Sequence, residues 1–224
     1  MTRAPRDGQK PGEAFDLQKW LAKLTDFPPI VQAGATVLRR RAESVPSSLL
    51  ATPELRDLVR LMTDVMRRAP GVGLAAPQIG VPLRVFVAED QEEHIAELPE
   101  GRAESRGRVA LPLTVLVNPK LSPVGEEQLT FFEGCLSVRG YGALVPRWNA
   151  VQISGVDAEG RPVSLRLQGW PARIMQHELD HLDGTLYVDR MLSRSLASDA
   201  ELPRLSGMAV EDVARELGID PGGS

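Results

Sequence analysis

Residues 176–181 are Gln176-His177-Glu178-Leu179-Asp180-His181, and this stretch decides how the rest of the chain is interpreted. His177 and His181 are four positions apart, so on a helix their imidazoles lie one turn apart on the same face and reach one divalent metal. Glu178 is offset by one position, which puts its carboxylate beside the open side of that metal, as a general base for water. The stretch therefore predicts a metal-bearing helix with hydrolytic chemistry.

The residues around the two histidines favour a helix. Pro171 suits a first helical turn, no other breaker occurs from 172 to 182, and Gly184 is placed to end the helix. A catalytic metal usually has three protein ligands, and no histidine or matching acidic motif follows His181. Upstream lies Cys135, the single cysteine. If Cys135 is a thiolate ligand, Cys135, His177 and His181 together form one metal site. The alternatives are that Cys135 is a buried apolar thiol or a nucleophile.

Three motifs together give the chain a close resemblance to the peptide deformylase family. They are Gly71-Val72-Gly73-Leu74-Ala75-Ala76-Pro77-Gln78, Glu133-Gly134-Cys135-Leu136-Ser137 and the stretch 176–181, and the similarity covers roughly residues 30–195. The resemblance implies an α+β fold in which mixed or antiparallel strands wrap around the central metal-bearing HExxH helix. It also implies the removal of the N-formyl group from the initiator methionine of N-formylmethionyl nascent peptides.

The resemblance assigns roles to the motif residues. The metal ligands would be Cys135, His177 and His181, and the metal would be Fe(II), with Zn, Ni or Co compatible with the same ligands. Glu178 would take a proton from metal-bound water that attacks the formyl carbon, and would later pass it to the departing amine. Gln78 and the backbone N–H of Leu136 would hold the oxyanion, together with the metal.

Substrate-binding residues follow from the same resemblance. Gly71 and Gly73 let an extended peptide approach the backbone, although both also suit a simple turn. The methionine pocket would be lined by Val72, Phe131, Trp170 and Ile174, each of which is also a good core residue.

One position departs from the family pattern. Many relatives have an arginine shortly after the cysteine motif that helps to hold the substrate backbone, and here that position is Gly142. The departure leaves open whether Arg139 or Arg147 takes over this role.

The chain divides into three predicted parts: an N-terminal extension with a short helix (1–29), the catalytic domain (30–195) and a C-terminal tail with a short amphipathic helix (196–224). Residues 1–12 are expected to be disordered, and helices are predicted at 16–24, 54–69 and 210–217. The acidic segment 89–112 holds seven acids against three arginines and predicts a solvated loop with an exposed His94. Strands are predicted at Arg84–Val87, Thr114–Val117, Gln128–Phe132, Val151–Val156 and Val163–Leu167.

Composition narrows the partners and the compartment. The net charge of −4 argues against specific nucleic-acid binding, and one cysteine cannot form an internal disulfide. No apolar run approaches the roughly 18 residues of a membrane span, and the N-terminus lacks the apolar core of a secretory signal. A cytoplasmic protein is expected. Some relatives dock on the ribosome with a basic C-terminal helix, but this tail has three arginines against six acids, or −3. A transient ribosome contact therefore stays open, and docking on ribosomal RNA is disfavoured.

Two other functions are compatible with parts of the pattern. An HExxH metallopeptidase would cleave internal peptide bonds and would not require a formyl group. A non-catalytic, metal-stabilised binding module would keep the metal but would have no use for Glu178 or Gln78.

Overall fold

The structure is a computed structural model that describes residues 15–69 and 71–219. Its strands are, in chain order, β1 (Gly73–Ala75), β2 (Val85–Asp90), β3 (Leu111–Pro123), β4 (Gln128–Cys135), β5 (Val138–Trp148), β6 (Ala150–Val156), β7 (Pro162–Gln168) and β8 (Ala197–Ser198). They form two antiparallel sheets, one in the order β1-β2-β3-β6-β7 and the other in the order β4-β5-β8.

The α-helices are α1 (Leu17–Leu21), α2 (Pro53–Arg68), α3 (Glu92–Ala96), α4 (Arg102–Ser105), α5 (Trp170–Leu182), α6 (Leu202–Ser206) and α7 (Val210–Leu217). Short 3₁₀ helices lie at Thr36–Arg39, Ser47–Leu49, Ala76–Ile79, Tyr187–Asp189 and Ser193–Ser195. No helix in the described ranges is both long enough and apolar enough to cross a membrane.

Helix α2 covers one face of the first sheet. The Thr52 hydroxyl caps it by accepting a hydrogen bond from the N–H of Leu55 at 3.3 Å, and Pro53 occupies the first turn. Its apolar stripe at helical spacing is buried against residues of β1 and β2, including Leu74 and Val85. The helix predicted at 54–69 is therefore confirmed.

Helix α5, which carries the two histidines, lies between the sheets and contacts β1, β2 and β3 of the first and β5 of the second. Gly169 precedes it with φ 65°, and Pro171 lies in its first turn. Gly184 follows it with φ 76°, where an added Cβ would lie 2.9 Å from the carbonyl carbon of Arg39. The predicted α+β fold with strands around a central HExxH helix is confirmed.

Sequence patterns found five of the strands and missed three. The predicted strands correspond to β2, β3, β4, β6 and β7, which begin or end a few residues away from the predicted bounds. The missed strands are β1, β5 and β8. In β5, Gly140, Gly142 and Pro146 interrupt the alternation that would reveal a strand, yet residues 142–148 pair continuously with β4.

The termini behave differently from one another. Helix α1 is shorter than the predicted 16–24, because only Leu17–Leu21 is helical, with Asp16 as its cap. The disorder expected for residues 1–12 lies outside the described residues. In the tail, the predicted helix at 210–217 is confirmed as α7, and it packs with α6 on Phe132 and Leu144 of the second sheet. The division at residues 29 and 195 stays a prediction.

Segment 89–112 is not a loop throughout, although its residues 91–110 are exposed or half-buried, as its composition predicts. It contains the end of β2, the helices α3 and α4 and the start of β3. Asp90 is only 1% exposed and binds Arg108 through two hydrogen bonds, of 2.8 and 3.0 Å. Composition did not reveal the two short helices or the buried pair of Asp90 and Arg108. His94 is exposed, as expected.

Candidate active site

The three predicted metal ligands come together at the meeting point of α5 and β4. The ligand atoms of Cys135, His177 and His181 lie within 4.8 Å of one another, and Cys135 Sγ is 3.3 Å from His181 Nε2. Cys135 is the last residue of β4, and the histidines lie one turn apart on α5. One thiolate and two imidazoles at this spacing fit a single divalent metal.

Gln78 is held beside the cysteine in a fixed orientation. Its Oε1 accepts the N–H of Ala75 at 2.8 Å, so its Nε2 faces Ser137 Oγ at 3.3 Å and Cys135 Sγ at 3.7 Å. The N–H of Ser137 also donates to Cys135 Sγ, at 3.4 Å. Both donors are therefore directed at the sulfur that would bind the metal.

Leu136 lies in the two-residue turn between β4 and β5, next to the thiolate. Its carbonyl accepts a hydrogen bond from Gln32 Nε2 at 3.0 Å, which fixes the turn on the preceding segment of the chain.

Glu178 is buried next to the ligands and has an unsatisfied oxygen. The residue is 4% exposed, and its Oε2 has no hydrogen-bond partner among the described residues. Burial raises the pKa of Glu178 to about 7. A buried carboxylate is costly without a partner, so this oxygen indicates a position where a water or a substrate group binds. The donor set and this oxygen both fit a catalytic metal.

Gly73 makes room for Glu178. A Cβ built at Gly73 would lie 2.2 Å from Glu178 Oε1, which is far inside van der Waals contact. The glycine was predicted for its approach to a peptide, and the structure gives it a second role that the sequence does not reveal.

Glu133 orients one of the two histidines. Its Oε2 is 2.9 Å from His177 Nδ1, which leaves the other ring nitrogen for a metal. Burial alone raises the pKa of Glu133, but the hydrogen bond with His177 and the charge of Arg147 outweigh burial and hold the pKa well below its usual range. Glu133 therefore stays ionised in the interior.

Glu133 belongs to a buried network of charges. Arg147 binds it at 2.9 and 3.0 Å, and Arg173 binds it at 2.6 Å. Arg147 continues to Asp180 at 2.5 Å, and Asp180 accepts two hydrogen bonds from Arg190, at 2.7 and 2.8 Å. Glu133 and Asp180 belong to the sequence motifs, but the sequence did not predict their roles because most of their partners lie on distant segments.

The predicted pocket residues also come together. Ile174 of α5 is buried in a hydrophobic cluster that also includes Phe86 and Leu116 of the first sheet. Val72 and Trp170 pack against this cluster. The rings of Phe131 and Trp170 have centroids 6.5 Å apart. Their assignment to methionine binding stays a prediction.

The space next to Gly142 is filled by the C-terminal tail. A Cβ at Gly142 would lie 2.9 Å from Leu202 Cδ1 and 2.9 Å from the carbonyl oxygen of Glu133, so no larger residue fits. Arg147 does not replace the missing arginine, since it is 5% exposed and bound to Glu133 and Asp180. Arg139 is exposed and is the second residue of β5.

The chain is similar to known proteins in sequence and in fold. A family model described as polypeptide deformylase matches residues 27–196. The chain belongs to the polypeptide deformylase family. Peptide deformylase 1 of Streptomyces coelicolor is 51% identical over 79% of this chain and 79% of its own length. Chloroplastic peptide deformylase 1A of Solanum lycopersicum is 43% identical over 81% of this chain, which spans 66% of that relative.

Solved structures lead to the same family. The crystal structure of a class I type b peptide deformylase from Acinetobacter baumannii with bound Met-Ala-Ser superposes with a TM-score of 0.65 at 32% identity. The match covers 75% of this chain and 100% of that chain. The deformylase fold and enzyme family expected from the three motifs are thereby confirmed.

Proposed function

We propose that the protein is a metal-dependent hydrolase that removes the N-formyl group from the initiator methionine of newly made proteins. The observation that carries this proposal is the unsatisfied Oε2 of Glu178 beside a Cys135, His177 and His181 cluster whose ligand atoms lie within 4.8 Å. A peptide that begins with methionine, Met-Ala-Ser, is bound by the Acinetobacter baumannii relative.

Cys135, His177 and His181 would hold the metal, which would act as a Lewis acid and lower the pKa of water. Glu178 accepts the proton of the attacking water, and burial supports this role by raising the pKa of its carboxyl to about 7, close to neutral pH. After attack on the formyl carbon, Glu178 passes the proton to the amine of methionine, and formate leaves.

Gln78 and Leu136 serve the oxygen of the formyl group. As the carbonyl is attacked its oxygen gains negative charge, and fixed N–H donors stabilise that charge more than they stabilise the substrate. Gln78 Nε2 is the better supported donor, because the N–H of Ala75 holds its amide in one orientation at 2.8 Å. The backbone N–H of Leu136 is the second donor, in the turn that follows the cysteine.

The peptide binds alongside residues 71–73, and its methionine enters the pocket of Val72, Phe131, Trp170 and Ile174. We propose Fe(II) as the native metal, and Zn, Ni and Co fit the same donors. The proposed location is the cytoplasm, although the Solanum lycopersicum relative is named as chloroplastic. A transient ribosome contact also stays a proposal.

The test is formate release from formyl-Met-Ala-Ser by the metal-loaded protein and by Glu178→Ala and Glu178→Gln. Both variants keep all three ligands, so metal content should be unchanged, whereas turnover should fall by ~10²–10⁴-fold, the usual contribution of a general base. Full turnover in a metal-loaded Glu178 variant would refute the mechanism.

The same assay separates the alternative functions. Cleavage of internal bonds in an unformylated peptide would identify a metallopeptidase. Metal binding without any turnover would identify a binding module.

A further inference from the structure

Residues 102–110 form a segment, called the wall segment below, that packs beside the N-terminus of α5. The N–H of Trp170 donates to the carbonyl of Gly107 at 3.1 Å. Gly107 has φ 56°, and a Cβ at Gly169 would lie 2.6 Å from the Gly107 oxygen, so the two backbones meet where only glycine fits. This contact fixes the turn of residues 106–108 on Trp170.

The two arginines on either side of Arg106 are also tied down. Arg108 makes two hydrogen bonds with the buried Asp90, of 2.8 and 3.0 Å. Arg102 donates to Ser206 Oγ of α6 at 2.9 Å. The wall segment is therefore anchored to the first sheet on one side and to the C-terminal tail on the other.

Arg106 itself lies over the aromatic residues of the proposed methionine pocket, within cation–π distance. Its guanidinium carbon is 5.2 Å from the centre of the Trp170 ring and 6.0 Å from the centre of the Phe131 ring. Phe131 lies on β4 with Cys135, and Trp170 begins the helix that carries His177.

Within the described residues Arg106 has neither a carboxylate partner nor a side-chain hydrogen bond, although it is half-buried. Asp90 is bound by Arg108, and Glu133 is bound by Arg147 and Arg173. Glu104 is exposed and lines the same groove as Arg106, but it makes no ion pair with Arg106. Burial, followed by the like charges of its arginine neighbours, lowers the pKa of Arg106 to about 10, so the side chain stays charged at neutral pH. A partly desolvated cation without a counter-ion favours an anionic ligand.

There is space for such a ligand beside it. Arg106 forms part of the wall of a groove of about 720 Å³, together with Leu129, Gly169 and Pro171. Phe131, Trp170 and the three proposed metal ligands are not part of the groove lining. Arg106 connects the groove with the proposed methionine pocket, because it lines the groove and also lies over Phe131 and Trp170.

We propose that Arg106 is a specificity-determining residue that favours substrates with an acidic side chain in the residues directly after the formylmethionine. The inference rests on the proposed function, since it takes the substrate to be a formyl-Met peptide whose methionine lies against Phe131 and Trp170. An aspartate or glutamate that follows the methionine gains a charge-assisted hydrogen bond at Arg106.

The experiment compares kcat/KM for two matched pairs of peptides: formyl-Met-Asp-Ser with formyl-Met-Asn-Ser, and formyl-Met-Ala-Asp with formyl-Met-Ala-Asn. In the parent protein at least one pair should favour the acid by about tenfold, or about 1.4 kcal/mol. Arg106→Gln should abolish the ratio and Arg106→Lys should retain part of it. High salt should reduce it, because a half-exposed charge pair is screened.

Arg40→Gln is the matched control. Arg40 is exposed, has no ion pair among the described residues, and lies against Gly184 beyond the far end of the 13-residue α5, about 20 Å from its N-terminus. It makes the same change in net charge as Arg106→Gln and should leave the ratio intact. Equal loss in both variants would show only an effect of net charge and would overturn the proposal. Equal kcat/KM within both pairs in the parent, or a ratio that survives Arg106→Gln, would overturn it as well.

Binding of the unformylated peptides, measured by calorimetry on the metal-loaded protein, separates this proposal from the proposed function. Selective binding of the acidic peptides that Arg106→Gln removes, without formate release, would refute the function and retain the role of Arg106. If the protein shows no turnover and no selective binding, both the proposed function and the role of Arg106 are refuted.

Discussion

Gly73→Ala tests the position of the proposed general base without touching that base. The added Cβ would lie 2.2 Å from Glu178 Oε1 and 2.6 Å from its Cδ, whereas non-bonded heavy atoms settle at about 3.5 Å. The carboxylate must therefore retreat by about 1 Å, and a displacement of that size costs on the order of 10²-fold in rate. Gly73 does not have a left-handed φ, so alanine adds a contact and no backbone strain.

The assay is formate release together with metal content and thermal unfolding. We expect kcat to fall by about 10²-fold, with all three ligands in place and metal content unchanged. Gly207→Ala is the control, because Gly207 lies in the C-terminal tail and its Cβ would meet only the carbonyl oxygens of Arg204 and Pro203, at 3.3 and 3.4 Å. It has no left-handed φ and no assigned role in the site, so the control should lose much less activity.

A double variant makes the result decisive. If Gly73→Ala acts only by displacing the carboxylate, it should cause little further loss in a Glu178→Ala background, since the two changes remove the same function. Parental kcat in Gly73→Ala, at normal metal content, would refute the role of Glu178 as proton acceptor in this position.

Three further predictions concern the metal and its surroundings. Glu133→Gln removes the carboxylate beside His177 Nδ1 and leaves Arg147 and Arg173 buried without its charge. Metal affinity, measured by competition with a chelator, should fall ~10–100-fold, and an unchanged affinity would contradict the orienting role. Alkylating reagents should attack Cys135 slowly in the metal-loaded protein and quickly after chelation, and equal rates would contradict the ligand role. Gly142→Ala should lower the free energy of unfolding by about 1–3 kcal/mol through overpacking. Leu202→Ala should recover part of this loss in a denaturant titration, and no recovery would show that the tail does not restrict residue 142.

The sequence was sufficient for those parts of the site that lie within short segments. His177, Glu178 and His181 are spaced by one helical turn, and the helix that carries them begins and ends beside glycines that suit its caps. The structure brings Cys135 to the same point, as the three motifs predict.

The features of the site and fold that the sequence did not predict depend on contacts between distant segments. Glu133 meets His177 across 44 positions and Arg173 across 40, and no local pattern announces either pair. Strand β5 was hidden by its glycines and proline, although its pairing with β4 positions Arg147 against Glu133. In segment 89–112 the helices α3 and α4 and the buried pair of Asp90 and Arg108 were not predicted, because a count of charges does not show which of them meet.

The two segments that seemed peripheral in the sequence are joined to each other and to the site. Helix α4 bonds to α6 through Arg102 and Ser206 at 2.9 Å, and Leu202 of α6 fills the space next to Gly142. The family resemblance predicts an arginine at the position of Gly142, whereas here an apolar tail residue excludes it. The chain instead holds Arg106, without a carboxylate partner among the described residues, over Phe131 and Trp170. A positive charge is thus absent at position 142 and present at position 106. We therefore expect the substrate preference for the residues after methionine to differ from that of relatives that have the arginine. The reaction at Cys135, His177 and His181 would stay the same.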